Sequence, residues 1–179
     1  MKQTLFVLTC IVIFSACNNA TKETATAKDS TSKVAVTLPY KVNYSSDFEI
    51  GDQKYAQIVL EARKDYDNNT LEKSAGLFAD SVTMDLANGA TINTKRDSAI
   101  AIVAKGRGSL ASATDYIDAI TVLKPKGKDE TWVCVWAKEV DVMKDGKKDS
   151  VFLNENWMLN KDGKIRYISQ LEGKPPVKK

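Results

Sequence analysis

The second half of the chain contains four strand-like runs separated by short turns, and this pattern restricts the fold more than any other feature. The runs cover residues 113–125, 131–143, 150–160 and 164–173. Turns that carry Lys, Asp and Gly separate the later runs, as in "KDGK" at 144–147 and "NKDGK" at 160–164. Because such turns join neighbouring antiparallel strands, the pattern predicts a long antiparallel meander.

Three helical segments precede the meander. The first extends from a cap at Asp52 to about Asp67, where apolar side chains recur at the spacing of a buried helical stripe. This stripe consists of Tyr55, Ile58, Val59, Ala62 and Tyr66. A short helix follows Thr70, "SVTMDL" forms a strand, and "TKRDSAIAIVAKG" is a third helix that Gly106 closes. The sequence predicts an α+β fold in which three N-terminal helices pack on the concave face of a curved antiparallel sheet.

Composition excludes several kinds of chemistry. The 179 residues include no histidine, which excludes Ser-His-Asp and Cys-His triads and zinc sites that need an imidazole. The formal charge of +3 is spread along the chain, so we expect no nucleic-acid partner. The calcium-loop-like stretch from Asp65 lacks the central Gly and the closing Glu, so we expect no calcium site there. We also expect no other metal ion and no cofactor.

The N-terminus predicts export. Lys2 precedes an apolar run from Leu5 to Phe14, which is the pattern of a signal peptide over residues 1–16. The ending "FSAC" resembles the lipobox of bacterial lipoproteins, and this resemblance implies a lipid such as palmitate on Cys17. Asn18 then implies the outer membrane of the cell envelope rather than the inner one. A secreted protein cut near residue 16 is the alternative.

Residues 17–36 are rich in Thr, Ala, Lys and Ser and lack aromatic side chains, which predicts a flexible tether between the lipid anchor and a domain at 37–179. Cys10 would be removed with the signal peptide and Cys17 would carry lipid. Cys134 would then be the remaining cysteine, so we expect no disulfide.

The element order and two stretches resemble the nuclear transport factor two-like superfamily, with its SnoaL-like and ketosteroid isomerase members. The stretches are "YDNNTLEKSAGLFADSVTMDLANG" and "VFLNENWMLNKDGKIRYISQLEG", and the resemblance covers roughly residues 52 to 173. It implies a cone-shaped domain whose sheet and helices enclose a pocket. Since this fold hosts many activities, function must be argued from the site.

The last two strands supply the main candidate site. Alternation places Glu155 in one row with Leu153 and Trp157, so a carboxyl group interrupts an apolar stripe. The resemblance to ketosteroid isomerase implies that Glu155 lies where that family has its protonated oxyanion-hole carboxyl, and that Trp157, Ile168 and Gln170 face the cavity. A structural carboxylate paired with Lys or Arg, or one at the rim, is the alternative for Glu155.

The same resemblance leaves two catalytic roles unfilled. The family's general-base aspartate falls on Leu86, and its oxyanion tyrosine falls near Ala62, so we do not expect steroid isomerisation. Asp85 faces the other way on a strand, and is either solvated or a base displaced by a bulge. Asp118 reaches either the pocket or its rim. Tyr55 directs its phenol either into the cavity or into the core.

Three functional classes follow from these observations. We favour a non-catalytic envelope lipoprotein that binds a small, mostly apolar ligand. The alternative is a SnoaL-like isomerase, dehydratase or cyclase that uses Glu155 with Asp85 or a tyrosine as acid and base. The third is an interaction module that forms a homodimer through the outer face of the sheet. Glu155 alone in a closed cavity favours binding, whereas a second carboxyl or a phenol beside it favours an enzyme.

Overall fold

Alternating apolar side chains build a single curved sheet. The computed structural model describes residues 37–174, and seven strands of that range pair in the order β1-β4-β5-β6-β7-β2-β3. The strands are β1 (Phe48–Ile50), β2 (Phe78–Asp85), β3 (Thr91–Lys95), β4 (Leu110–Pro125), β5 (Thr131–Met143), β6 (Lys148–Leu159) and β7 (Ile165–Gly173). Strands β4 to β7 form the predicted meander, which is confirmed.

The sheet is antiparallel at every junction except one. Strand β2 pairs with β7 in parallel, because the chain crosses from the first half of the domain to lie beside the last strand. The sequence did not indicate this pairing, nor the short strands β1 and β3. Strand β3 takes Thr94 and Lys95, which the sequence assigned to the third helix, since Lys95 pairs with Ser81 of β2.

Three helical segments lie close to where the sequence placed them, although the third begins at Arg96 instead of Thr94 and continues past Gly106 to Arg107. They are α1 (Lys54–Asp67), a 3-10 helix (Leu71–Leu77) and α2 (Arg96–Arg107). Asp52 accepts a hydrogen bond from the backbone N–H of Lys54 through Oδ1 at 2.9 Å, which satisfies one free donor at the start of α1. The predicted α+β architecture, with the helices on the concave face of the sheet, is confirmed.

Helix α1 packs on the sheet through its apolar face. Val59 is fully buried and joins one core cluster with Val133 and Val135 of β5. Burial of a valine side chain contributes about 1.5 to 3 kcal/mol, so this face fixes α1 against the sheet. The polar residues of the same face are thereby brought over the strands.

The predicted signal peptide, Cys17 and the tether at 17–36 lie outside the described residues. Neither α-helix of residues 37–174 combines the length and the hydropathy that crossing a bilayer requires.

Two hairpin glycines offer a test of the turn geometry. Gly146, between β5 and β6, and Gly163, between β6 and β7, have φ angles of +84° and +71°. A Cβ on Gly163 would lie 3.3 Å from Cε1 of Tyr55, whereas a Cβ on Gly146 would meet nothing within 4 Å. Both positions therefore require a positive φ angle, but only Gly163 has a side chain close to where a Cβ would lie.

We expect Gly146→Ala to lower the free energy of unfolding by about 1 kcal/mol, because the left-handed region is unfavourable for a residue with a Cβ. Gly163→Ala should cost more, since its Cβ also crowds Tyr55. Urea unfolding followed by circular dichroism measures both variants. Equal losses would contradict the crowding at Gly163, and no loss in either would contradict the turn geometry.

Candidate functional site

A cavity of about 410 Å³ lies between the concave face of the sheet and the helices. Most of its wall is apolar, and includes Met84, Leu86, Ile92 and Val103. The polar side chains of the wall are Arg63, Tyr66, Arg107, Asp115, Glu139, Glu155 and Gln170. An apolar chamber with a few polar groups is the usual form of a small-molecule site.

A buried arginine is the centre of the polar wall. Arg63 belongs to α1, and its guanidinium forms ion pairs with Glu155 of β6 and Asp115 of β4. The Asp115 pair joins Nη2 and Oδ1 at 2.6 Å, and the Glu155 pair is a hydrogen bond from Nη1 to Oε2. All three side chains are at most 6% exposed. Burial lowers the pKa of Arg63, but the two carboxylates outweigh this effect and raise it.

Glu155 accepts hydrogen bonds from three side chains. Besides Arg63, the indole Nε1 of Trp157 donates to Oε2 at 2.9 Å, and the amide Nε2 of Gln170 donates to Oε1 at 3.0 Å. All three partners are donors, so both oxygens of Glu155 act as acceptors. This arrangement differs from the protonated donor that the resemblance implied, and it matches the structural ion pair that was the alternative.

A second carboxyl pair lies beside this network. Asp115 and Glu139 are direct cross-strand partners on β4 and β5, and side chains in such pairs lie close together. Both residues line the cavity. Oδ2 of Asp115 has no hydrogen-bond partner among residues 37–174, and Glu139 makes no hydrogen bond or ion pair within the same range.

The environment separates the pKa values of these two groups. Burial raises the pKa of Asp115 to about 6, although the charge of Arg63 opposes the shift. Burial and the charges of Asp115 and Asp141 raise the pKa of Glu139 to about 8. At neutral pH Asp115 is therefore mostly ionised and Glu139 mostly protonated.

Tyr66 and Arg107 complete the polar wall. Burial, followed by the charges of Glu139 and Asp141, raises the pKa of the Tyr66 phenol, so the phenol stays protonated at neutral pH. Arg107 donates from Nε to the backbone oxygen of Tyr66 at 3.0 Å and from Nη2 to that of Asp67 at 2.7 Å. These bonds satisfy two carbonyl groups at the end of α1.

The structure places four of the predicted ligand-binding residues on the cavity wall. They are Glu155, Trp157, Ile168 and Gln170. Leu86 and Ala62, the two positions where the resemblance left catalytic roles unfilled, also line the cavity.

Three other predicted site residues lie elsewhere. Asp118 is exposed at an irregularity of β4, where the register shifts between Ile117 and Ala119. Tyr55 lies beside the turn at Gly163 and does not contribute to the cavity wall. Asp85 is on the outer face of the sheet.

The contacts of Asp85 identify its role. It accepts hydrogen bonds from Tyr167 at 2.6 Å and from Thr91 at 2.7 Å. These two hydrogen bonds lower the pKa of its carboxyl. Asp85 therefore connects three strands and is not a displaced base of the cavity.

Four residues of the polar wall were not predicted from the sequence, namely Arg63, Asp115, Glu139 and Arg107. Arg63 falls within the apolar stripe of α1, next to Ala62. A charged residue that interrupts this stripe could have indicated a buried cation. Glu139 lies in the same row of β5 as Val133 and Val135, so it places a carboxyl group in an apolar row, as Glu155 does on β6. Asp115 and Arg107 carried no comparable signal, because their positions depend on the bulge in β4 and on the end of α2.

No group of three or more His, Cys, Asp or Glu side chains within residues 37–174 is arranged to hold a metal ion. On the outer face of the sheet, Trp136, Phe152 and Leu171 are exposed. This is the kind of apolar face that the interaction-module hypothesis requires, and the homodimer stays a prediction.

The sequence matches no protein-family model, and no curated protein matched it significantly. Solved structures share its fold. An NTF2-like protein of unknown function from Exiguobacterium sp. 255-15 is similar over 65% of this chain and 98% of its own, with 18% identity and a TM-score of 0.52. This likeness and the curved sheet establish the NTF2-like cone fold.

Two enzymes have the same fold. An LEH-like epoxide hydrolase from M. tuberculosis is similar over 68% of this chain and 84% of its own, with 10% identity and a TM-score of 0.56. The epoxide hydrolase/cyclase-like enzyme SalBIII has a role in pyran ring formation in the polyether salinomycin. It is similar over 68% of this chain and 92% of its own, with 14% identity and a TM-score of 0.50. At these identities the similarity concerns the fold alone.

We expect Glu155→Gln to lower the free energy of unfolding by about 3 kcal/mol, because loss of one partner leaves a buried ion pair uncompensated. Glu49→Gln is the matched control, since Glu49 is exposed on β1. Urea unfolding at pH 7 compares the two variants. Equal stability of Glu155→Gln and the control would show that the buried network does not hold α1 on the sheet.

Stability should fall as pH rises toward 8. The folded state keeps a proton on Glu139 up to about pH 8, whereas the unfolded chain releases it near the ordinary value of 4.5. Ionisation of Asp115 near pH 6 acts in the same direction. The stabilising contribution of Glu139 is thus complete below pH 4.5 and lost as pH passes through 8.

Between pH 6 and 8 the free energy of unfolding should fall by on the order of 2 kcal/mol, because one pKa unit corresponds to about 1.4 kcal/mol. We expect Glu139→Gln to remove much of this fall. Urea unfolding at several pH values measures the slope. The same slope in the wild type and the variant would contradict a protonated Glu139.

Proposed function

We propose that this domain is an acid-base enzyme of the isomerase, dehydratase, epoxide hydrolase or cyclase kind, acting on a small and mostly apolar molecule. The observation that carries the proposal is the cross-strand pair of Asp115 and Glu139 on the cavity wall, one ionised and one protonated at neutral pH. Two carboxyls whose environments separate their pKa values are the usual sign of an acid and a base. The sequence alone favoured non-catalytic binding, and this second carboxyl changes the preference.

In the proposed mechanism Asp115 is the general base. Its Oδ2 has no hydrogen-bond partner in the part of the chain that the structure describes, and the pKa of about 6 leaves Asp115 ionised yet basic enough to accept a proton near pH 7. Arg63 holds Oδ1 and fixes the orientation of the carboxylate. Glu139 is the general acid, which donates its proton to a developing oxyanion or leaving oxygen. Tyr66 supplies a second neutral donor.

The wall of the cavity supports this substrate class. The apolar side chains around it exclude water and favour a hydrocarbon body, while the polar side chains provide one reactive wall. The epoxide hydrolase and the cyclase-like enzyme with the same fold act on molecules in which a C–O bond forms or breaks. A general acid beside a general base suits that chemistry, because one group activates the nucleophile and the other protonates the leaving oxygen.

The proposal can be tested on the ligand that accompanies the protein. Native mass spectrometry of protein purified from its own envelope identifies a bound molecule, which is then incubated with fresh protein in D₂O and separately in H₂¹⁸O. Isomerisation exchanges a C–H hydrogen for deuterium, hydration adds labelled water, and dehydration removes water. A ligand that returns unchanged and unlabelled would support non-catalytic binding and overturn the proposed activity.

Turnover should depend on both carboxyls and show a bell-shaped pH profile. We expect the rate to rise near pH 6, as Asp115 ionises, and to fall near pH 8, as Glu139 loses its proton. Asp115→Asn should lower the rate about 100-fold or more, as loss of a general base does. Asp118→Asn, an exposed carboxyl on the same strand, should leave the rate unchanged. A flat profile, or equal rates in the two variants, would contradict the assignment.

We also propose that the protein is a lipoprotein anchored in the cell envelope through Cys17, at the outer membrane. The sequence supports this through the apolar leader and the lipobox-like "FSAC". The mature protein should begin at Cys17, carry the mass of attached acyl chains and fractionate with membranes. Cys17→Ala should release it, while Cys10→Ala should not. Mature protein without lipid would favour the secreted alternative.

A further inference from the structure

Arg107 is a buried cation on the cavity wall whose side chain is only partly used by the protein. It is the last residue of α2, and it is 5% exposed. Its Nε and Nη2 bind the backbone oxygens of Tyr66 and Asp67. Its third nitrogen, Nη1, makes no hydrogen bond with any residue from 37 to 174. One donor nitrogen of Arg107 is therefore available to a ligand.

The charge of Arg107 is not matched by a close counterion. Arg63, the other arginine of the wall, has two carboxylates at ion-pair distance. Among residues 37–174, no carboxylate lies that close to Arg107. Asp67 and Asp141 are the acidic groups around it, and both act only at longer range. A buried charge without a partner is costly, and an anionic group of a ligand in the cavity would supply that partner.

The remaining wall determines what kind of anion fits. Ile102 and Val103 lie on the same helix as Arg107, and Leu86, which directly follows β2, also lines the cavity. These side chains require an apolar body next to the anionic group. Asp115 and Glu155 add negative charge to the same cavity, so a dianion such as a phosphate ester would be repelled more strongly than a monoanion.

We infer that the ligand is an organic monocarboxylate whose carboxylate group pairs with Nη1 of Arg107 while its apolar body occupies the cavity. This inference rests on the proposed function, because it names the class of molecule that the same cavity takes. Arg107 would then determine specificity and orient the substrate. Asp115 and Glu139 would remain free to act on another part of the molecule.

The experiment compares carboxylates with neutral amides of the same shape. Full-length protein in phosphatidylcholine nanodiscs is titrated calorimetrically with phenylacetate and phenylacetamide, hexanoate and hexanamide, and benzoate and benzamide, with empty nanodiscs as blanks. We expect at least one acid to bind about tenfold or more tightly than its amide, since hydrogen bonds to charged groups are stronger than neutral ones. Acids that bind no more tightly than their amides would overturn the inference.

Variants of Arg107 test whether this residue causes the preference for acids over their amides. Arg107→Gln should abolish the acid preference while leaving amide affinity within about twofold, and Arg107→Lys should retain part of it. Arg166→Gln is the matched control, because Arg166 is exposed on β7. Thermal unfolding monitors the folding of each variant, and Arg107→Lys decides alone if Arg107→Gln is unfolded. A preference that persists unchanged in both Arg107 variants would overturn the inference.

These outcomes separate the inference from the proposed function. Loss of the acid preference in the Arg107 variants, without any turnover of the natural ligand, would support the carboxylate subsite and refute the acid-base enzyme. Turnover that depends on Asp115, without any preference for acids over amides, would support the acid-base enzyme and refute the carboxylate subsite.

Discussion

The ion pairs of Arg63 with Glu155 and Asp115 are the interaction on which the rest of the structure depends. They connect α1 to β6 and β4 through one guanidinium group that is almost fully buried. Such pairs contribute little net free energy when they form, but the loss of one partner leaves a buried charge unpaired. Their main effect is therefore positional, because α1 must lie where Arg63 reaches both Glu155 and Asp115.

This constraint also creates the chemistry of the cavity. Glu155 accepts hydrogen bonds from Arg63, Trp157 and Gln170, and in this way it supports the wall. Asp115 shares Arg63 with it and keeps one oxygen free, while Glu139 beside it has no partner within residues 37–174. The same burial that makes the network costly raises the pKa of both Asp115 and Glu139, by different amounts. Packing thus provides both the carboxyl that supports the wall and the two carboxyls for which we propose acid and base roles.

Much of the site could be predicted wherever side chains alternate regularly. The resemblance implied that Trp157, Ile168 and Gln170 face the cavity, and they do so because β6 and β7 pair without interruption over that region. For Asp118 the sequence left the pocket and its rim open as alternatives. The structure places it in solvent, because one extra residue in β4 shifts the alternation and turns Asp115 inward. Tyr55 was assigned correctly to the inner side of α1, but the cavity begins further along the helix, near Ala62. The spacing of apolar residues indicates which face of a helix is buried, but it does not indicate which part of that face lines the cavity.

The sequence by itself determined the meander, the helices that cover it and the interrupted apolar row at Glu155, because hydrophobic periodicity and turn residues act locally. It also determined that any acid or base must come from a residue other than histidine. Only the tertiary structure decided which carboxyls meet Arg63, which one stays free, and that Arg107 enters the same cavity from the end of α2. Those relations join residues far apart in the chain, and they depend on a bulge, a parallel strand pair and a helix end whose effects appear only when the elements pack together.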